Sequence, residues 1–290
     1  MNPLDVVTLT PLMERTSGSR AIVIGLLDGP VARTHPDLVS AHLREIPGQQ
    51  GSTLAPASSA ASLHGTFVAG ILCAQRGSAA PAICPGCTLL VRPIFLETTA
   101  TSGQMPSATP DTLAAAIIET IEAGARVLNL SVALAQPSTG SERALEEALD
   151  YAVSRGVIPV AAAGNQGTLG STAITRHPWV LPVGACDLQG RPLGASNLGR
   201  SLGRRGLMAP GEAITSLGVS GPPLTFGGTS AATPFVTGTI ALLWSAFPAA
   251  TAAEVRHAVT HASAPRRPTV VPPLLDAWGA YHRMQTVGRR

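Results

Sequence analysis

Five short, nearly unbroken apolar runs punctuate the chain, at residues 21–27, 87–95, 126–131, 157–163 and 180–185. None alternates with polar residues, which is the pattern of strands buried on both faces. Between them the apolar spacing turns helical. Residues 111–123 place Leu113, Ile117, Ile118 and Ile121 on one face, with Asp111 as the predicted cap and Gly124 as the stop. A second helix is predicted from a Ser141 cap to Ser154, with Glu142 to Glu147 in its early turns, and Gly156 ends it. Residues 252–262 read as a surface helix, residues 4–18 as one amphipathic helix closing near Gly18, and residues 276–284 as a last short helix. Residues 231–244 differ from all of these. They are apolar on nearly every side, so the helix they predict is buried.

Strands that alternate with helices indicate an α/β fold: one doubly wound, mostly parallel sheet with helices on both faces. Residues 47–62 and 97–110 read as loops, and residues 187–206 as loops and short pairings. There is no internal repeat and no linker, so residues 1–290 are expected to form a single domain, with residues 1–19 as an N-terminal helical segment and residues 285–290 as a frayed tail.

Composition narrows the classes. At 45% hydrophobic residues the chain supplies a full core. The net charge is only +3, every basic side chain is Arg rather than Lys, and no long basic run occurs, so nucleic acid is not expected as a partner. No stretch reaches the roughly 18 apolar residues of a membrane span. The start, Met1-Asn2-Pro3-Leu4-Asp5, has neither a basic region nor an apolar one of the secretory type, which points to a cytoplasmic protein unless a signal and pro-segment preceded it. Of the four cysteines, Cys84-Pro85-Gly86-Cys87 has metal-ligand spacing and Cys73 is a candidate third ligand or disulfide partner, but without a second His or Cys pair the alternative is buried thiols in a reducing compartment.

Three residues stand out by position. Asp28 is delivered to the carboxyl end of the first predicted strand, where α/β active sites form, although an Asp before Gly29-Pro30 also starts a turn. His64 opens a predicted helix of small and apolar residues, as a core histidine or as a catalytic base. Ser230 follows Gly227-Gly228-Thr229 at the mouth of the buried helix, as an N-cap or as a nucleophile beside amides that favour negative charge. Pro234 is placed in the first turn of that helix, where a missing N–H costs little. Asn165 lies between Gly164 and Gln166-Gly167 after the fourth predicted strand, where a turn residue is the local alternative to a functional one.

Taken together, in the chain order Asp, His, Ser, these residues resemble the subtilisin-like serine proteases, the subtilases. Gly228-Thr229-Ser230-Ala231-Ala232-Thr233-Pro234 is similar to the family's Gly-Thr-Ser-Met-Ala-Ser/Thr-Pro segment. His64-Gly65-Thr66-Phe67-Val68-Ala69-Gly70 is similar to its His-Gly-Thr-His-Val-Ala-Gly segment, and Ala162-Ala163-Gly164-Asn165 to the segment that carries its oxyanion-hole asparagine. Leu207-Met208-Ala209-Pro210-Gly211 matches a further family segment, and the resemblance runs from about residue 20 to 280. It implies a serine endopeptidase with Ser230 as nucleophile, His64 as base, Asp28 orienting the imidazole, and Asn165 with the Ser230 N–H holding the oxyanion. It implies a substrate edge at Ser131, Val132 and Ala133, a pocket wall at Ala162, Ala163 and Gly164, and a peptide or protein substrate.

The departures carry information too. Leu27-Asp28-Gly29-Pro30-Val31 is similar to subtilases that process ribosomally made peptides, such as the cyanobactin maturation proteases, and implies limited cleavage of a precursor peptide. Phe67 replaces the second histidine of the family segment, and Ser131-Val132-Ala133-Leu134 replaces a glycine-containing edge. The calcium loop common in the family is not recognisable; Gln75-Arg76-Gly77-Ser78 and residues 84–87 occupy its place, so no cofactor and no family-type calcium site are expected, while calcium elsewhere stays open. Two other readings compete: a scaffold that presents peptides with little turnover, motivated by the altered edge, and a secreted general protease stripped of its signal and pro-segment.

Overall fold

In the computed structural model, which describes residues 2–46, 59–95, 108–131, 142–263 and 269–287, the first apolar run becomes β1 (Val23–Asp28). It lies inside a seven-stranded sheet with β2 (His42–Glu45), β3 (Thr88–Pro93), β4 (Val127–Leu130), β5 (Ile158–Ala162), β6 (Leu181–Cys186) and β7 (Leu207–Pro210). The order is β2-β3-β1-β4-β5-β6-β7, and every pairing is parallel. Side chains alternate between two cores, as the pleat requires. Ile24, Leu26 and Val127 enter one core and Leu27, Leu128 and Leu130 the other.

The helices are α1 (Pro3–Val6), α2 (Thr10–Arg15), α3 (Ala60–Cys73), α4 (Pro110–Glu122), α5 (Arg143–Ser154), α6 (Ala173–Arg176), α7 (Arg200–Arg205), α8 (Thr229–Ala246), α9 (Ala252–His261) and α10 (Ala277–Val287). α3, α8 and α9 share the first core, and α4 and α5 share the second. Helices therefore cover both faces, which is why the strands lack polar alternation. The register keeps the strand ends level: Leu27 is opposite Leu130, Leu130 opposite Ala161, and Ala162 opposite Val183. Asp28, Ser131 and Ala163 therefore reach the same rim of the sheet. β1 meets β4 where the strand order reverses, the place at which such sheets bind ligands.

Several expectations are corrected. The N-terminal helix is two short helices, because Thr8 adopts φ 50° between them. α3 begins at Ala60, inside the expected loop, because the Ser59 side chain accepts from Ser62 N and caps it; His64 is thus one turn inside its helix. Thr109 rather than Asp111 caps α4, accepting from Thr112 N ahead of Pro110. The expected Ser141 cap lies outside the described residues, and α5 has Glu142 at its N-cap with no side-chain cap bond. β2 and β7 had no strand signal of their own; β2 is a half-exposed edge of four residues and β7 is too short to show a period. α6 is a single turn in a stretch without a sequence expectation, and α7 is a short helix within residues 187–206, expected as loops and short pairings. β8 (Ile214–Ser216) and β9 (Leu224–Phe226) form an antiparallel pair that leads into α8. Residues 285–287, expected in the tail, continue α10.

Candidate active site

Asp28 ends β1 fully buried. Its Oδ1 accepts from Gly29 N at 2.7 Å and meets His64 Nδ1 at 2.6 Å. The contact needs α3 to lie directly on the turn after β1. A Cβ on Gly29 would stand 1.9 Å from the Ala61 carbonyl oxygen, and one on Gly65 would stand 2.3 Å from the Gly29 carbonyl oxygen. Only glycine at both positions lets helix and turn approach so closely. The Gly29 that departs from the family pattern therefore helps to seat the histidine.

Burial disfavours a charged His64, but the charge and hydrogen bond of Asp28 outweigh it, and the imidazole pKa is raised above 6.5. With Nδ1 donating to the carboxylate, the neutral ring presents its lone pair at Nε2, the arrangement of a base. Asp28 Oδ2 is buried and has no hydrogen-bond partner among the described residues.

Ser230 is the second residue of α8, so Gly228 and not Ser230 is the N-cap. Its N–H is one of the first-turn amides that a helix leaves without an internal partner. Pro234 is the sixth residue of α8, one turn further in than expected, because the helix starts at Thr229. The Ser230 hydroxyl donates to the Ser131 carbonyl at 2.9 Å, and among the described residues it makes no hydrogen bond to His64. The structure thus joins Asp28 to His64 and Ser230 to Ser131.

Asn165 is exposed at the rim after β5. Its Oδ1 accepts from Thr229 N at 2.8 Å and from Thr229 Oγ1 at 3.1 Å. Thr229 Oγ1 in turn accepts from Gly164 N at 3.1 Å. With the oxygen held twice, the amide nitrogen is left without a partner among the described residues and is free to donate. It stands close to Gly228, where an added Cβ would lie 2.8 Å from Nδ2. Ala162, Ala163 and Gly164 are buried behind it. Val132 and Ala133 lie outside the described residues.

Four supporting residues carried no local signal. Thr229 orients Asn165. Asn197 braces the same loop, donating to the Ala163 carbonyl at 3.1 Å and accepting from Gln166 N and Thr168 N at 3.0 and 3.1 Å. Asn129 and Thr237 are fully buried beneath Ser131. In sequence Asn197 looks like any turn former, Asn129 is a polar interruption of an apolar run, and Thr237 is one of several threonines in α8; only their juxtaposition distinguishes them.

The cysteines are all free and buried. Among the described residues no group of three or more His, Cys, Asp or Glu is arranged to hold a metal ion. In the region of the family's calcium loop, Arg76 donates to the carbonyls of Met13, Thr16 and Ile83 at 2.6, 2.9 and 3.3 Å. A side-chain cation sits on these three oxygens.

Comparison with known proteins gives the same picture. The model described as "Subtilase family" matches residues 19–279. Subtilisin NAT of Bacillus subtilis subsp. natto is 33% identical over 244 residues, covering 81% of this chain; the chain spans 58% of that protein's length. Among solved structures, a mutant of the protease domain of PatA superposes with TM-score 0.84 at 32% identity, covering 93% of this chain and 97% of that one. The prenylagaramide maturation protease PagA superposes with TM-score 0.83 at 29% identity, covering 95% and 98%.

Proposed function

The chain belongs to the subtilase family, and from that premise we propose that it is a serine endopeptidase that makes limited cuts in a precursor peptide. The observation that carries the reading is the 2.6 Å contact of His64 Nδ1 with Asp28 Oδ1 at the rim where β1, β4 and β5 end. In this reading Nε2 takes the proton of Ser230 Oγ as that oxygen attacks the substrate carbonyl. Asp28 holds the tautomer and stabilises the imidazolium. The tetrahedral oxyanion is held by Asn165 Nδ2 and the Ser230 N–H. His64 then returns its proton to the leaving amine, and water releases the acyl group by the reverse sequence. Ser131 belongs to an edge to which an extended peptide adds as a strand, and Ala162 to Gly164 form the facing wall.

Likeness to PatA and to PagA, a maturation protease, supports a precursor peptide as the substrate class. Among the described residues no helix is long and apolar enough to cross a membrane. A precursor peptide as substrate supports the cytoplasm, where such peptides are made, as the place of the reaction. The test is fluorophosphonate labelling read by intact mass. Wild type gains one adduct and Ser230→Ala gains none; an adduct that survives the substitution would refute the assignment of the nucleophile. Limited processing predicts a few discrete fragments from a susceptible peptide and little digestion of unfolded casein, and a dense casein ladder would overturn that part.

A further inference from the structure

Pro234 has no N–H to give. In a regular helix that hydrogen bond would go to the carbonyl four residues back, which is that of Ser230. The gap is filled from the sheet: Ser131 Oγ donates to the Ser230 carbonyl at 3.3 Å. The nucleophilic side chain makes the return contact, with Ser230 Oγ donating to the Ser131 carbonyl at 2.9 Å. The two serines therefore hold each other through both hydroxyls and both carbonyls.

A buried chain of donors backs this pair. Thr237 Oγ1, two turns along α8 from Ser230, donates to Asn129 Oδ1 at 2.8 Å. Asn129 Nδ2 donates to Ser131 Oγ at 2.7 Å. Thr237 Oγ1 also lies 3.3 Å from the Thr233 carbonyl, the longer of its two contacts. With its proton on the amide oxygen, the Asn129 nitrogen is left for Ser131, and the Ser131 proton for the Ser230 carbonyl. Asn129 and Thr237 are wholly shielded from water, so breaking any link strands a polar group in the core. The chain ties the carboxyl end of β4 to the first turns of α8.

We propose that the Ser131–Ser230 pair is a clasp: in the peptide-free enzyme it keeps the Ser230 hydroxyl on Ser131 and off His64, and a substrate backbone N–H that pairs with the Ser131 carbonyl opens it. The proposal rests on the serine-endopeptidase reading and on Ser131 belonging to the substrate edge. An N–H arriving at that carbonyl competes with the Ser230 hydroxyl for the same acceptor. The displaced hydroxyl then finds its next acceptor in His64 Nε2. No bond is made or broken beyond this exchange of hydrogen bonds, and an ordinary net hydrogen bond biases such an equilibrium about two- to twelvefold. The nucleophile is thereby assembled with its base when a peptide backbone is in place, which suits a protease with few substrates. Asn129 acts here as a positioning residue, since it touches neither the substrate nor Ser230.

The test is to titrate the His64 imidazole by NMR in peptide-free wild type and in Ser230→Ala. The clasp predicts the same pKa in both, because the hydroxyl removed is not on the ring. A difference of about half a pKa unit or more would place Ser230 on His64 at rest and overturn the clasp. A high-resolution crystal structure of peptide-free wild type decides it without a variant: Ser230 Oγ within hydrogen-bond distance of the Ser131 carbonyl supports the proposal, and Ser230 Oγ on His64 Nε2 overturns it. Fluorophosphonate labelling of the same wild-type sample separates the two levels. Labelled protein with Ser230 on His64 loses only the clasp. Folded protein that neither labels nor cleaves peptide loses the endopeptidase reading and the clasp with it.

Discussion

Asp28 and His64 are both buried and joined by a 2.6 Å hydrogen bond, whereas Ser230 is half-buried and Asn165 exposed. In the proposed reaction the first two are the acid–base side, and their contact is already formed. The helix and the turn that carry them approach at glycine on both sides. The proposed oxyanion side is held differently: Asn165 hangs by its oxygen on Thr229, with its nitrogen open toward the rim. Ser230, the proposed nucleophile, is bonded to the sheet edge rather than to His64. Burial by itself disfavours a charged His64, but it also strengthens the pull of Asp28 on the ring, while donors that must reach a peptide have to stay at the surface.

If the acid–base side is preformed, breaking it should cost most. Asp28→Asn is expected to lower kcat by about 10⁴-fold, through the wrong tautomer, with the fold retained. The pH profile adds a sign. His64 must be neutral to act as a base, and its pKa is raised above 6.5, so the acid limb of kcat/KM should have its midpoint above that value and should move down in Asp28→Asn. The same shift enters stability. A raised folded-state pKa stabilises the fold fully below the unfolded value of about 6.5, and the contribution is lost as pH rises through the folded value. An acid limb below 6.5 in wild type would contradict the pairing.

On the oxyanion side, Asn165→Ala should cost about 10²–10³ in kcat with KM little changed, since its nitrogen acts on charge that develops only in the transition state. A loss shared equally with KM would make Asn165 a ground-state contact instead. Thr229→Val probes the support one step back. It removes one of the two bonds to Asn165 and strands Gly164 N, and about a tenfold loss of kcat is expected with a stability cost of about 1–3 kcal/mol, read by steady-state kinetics and denaturant melts. An unchanged kcat would show that Thr229 N alone orients the amide.

The smallest effect concerns the two rings that link the halves. Phe67, one turn beyond His64, packs on Phe226 with centroids 5.0 Å apart and planes inclined by 57°. Phe226→Ala should remove about 1 kcal/mol and lower Tm by about 2–4 °C. A drop several times larger would mean that the exposed ring carries more of the α3 packing than its 39% exposure suggests.

Much of this was legible from residue order. Pattern and punctuation located five of the seven sheet strands and the long helices, because strands covered on both faces must be apolar throughout and helix faces must repeat. The spaced motifs singled out Asp28, His64, Asn165 and Ser230, and the structure brings His64 onto Asp28 and Asn165 onto Thr229, the residue before Ser230. β2 escaped because a half-exposed edge strand has no apolar run, and β7 because Gly206 and Gly211 cut its run to four residues. The turn number of Pro234 was misjudged because the true start of α8 depends on Gly228, not on the serine.

The amino-acid sequence by itself determined the fold class, the order of the chemical groups and the family, since apolar periodicity and local motifs are properties of neighbours along the chain. Tertiary structure decided which groups bond to which. Only the packing of α3 on the β1 turn puts Nδ1 of His64 on Asp28. Only the approach of β4 to α8 sets Ser131 opposite the carbonyl that Pro234 leaves unpaired, with Asn129 and Thr237 behind it. The first contact joins residues 36 positions apart and the others residues about a hundred apart, and hydrogen bonds depend on distances that no local pattern encodes.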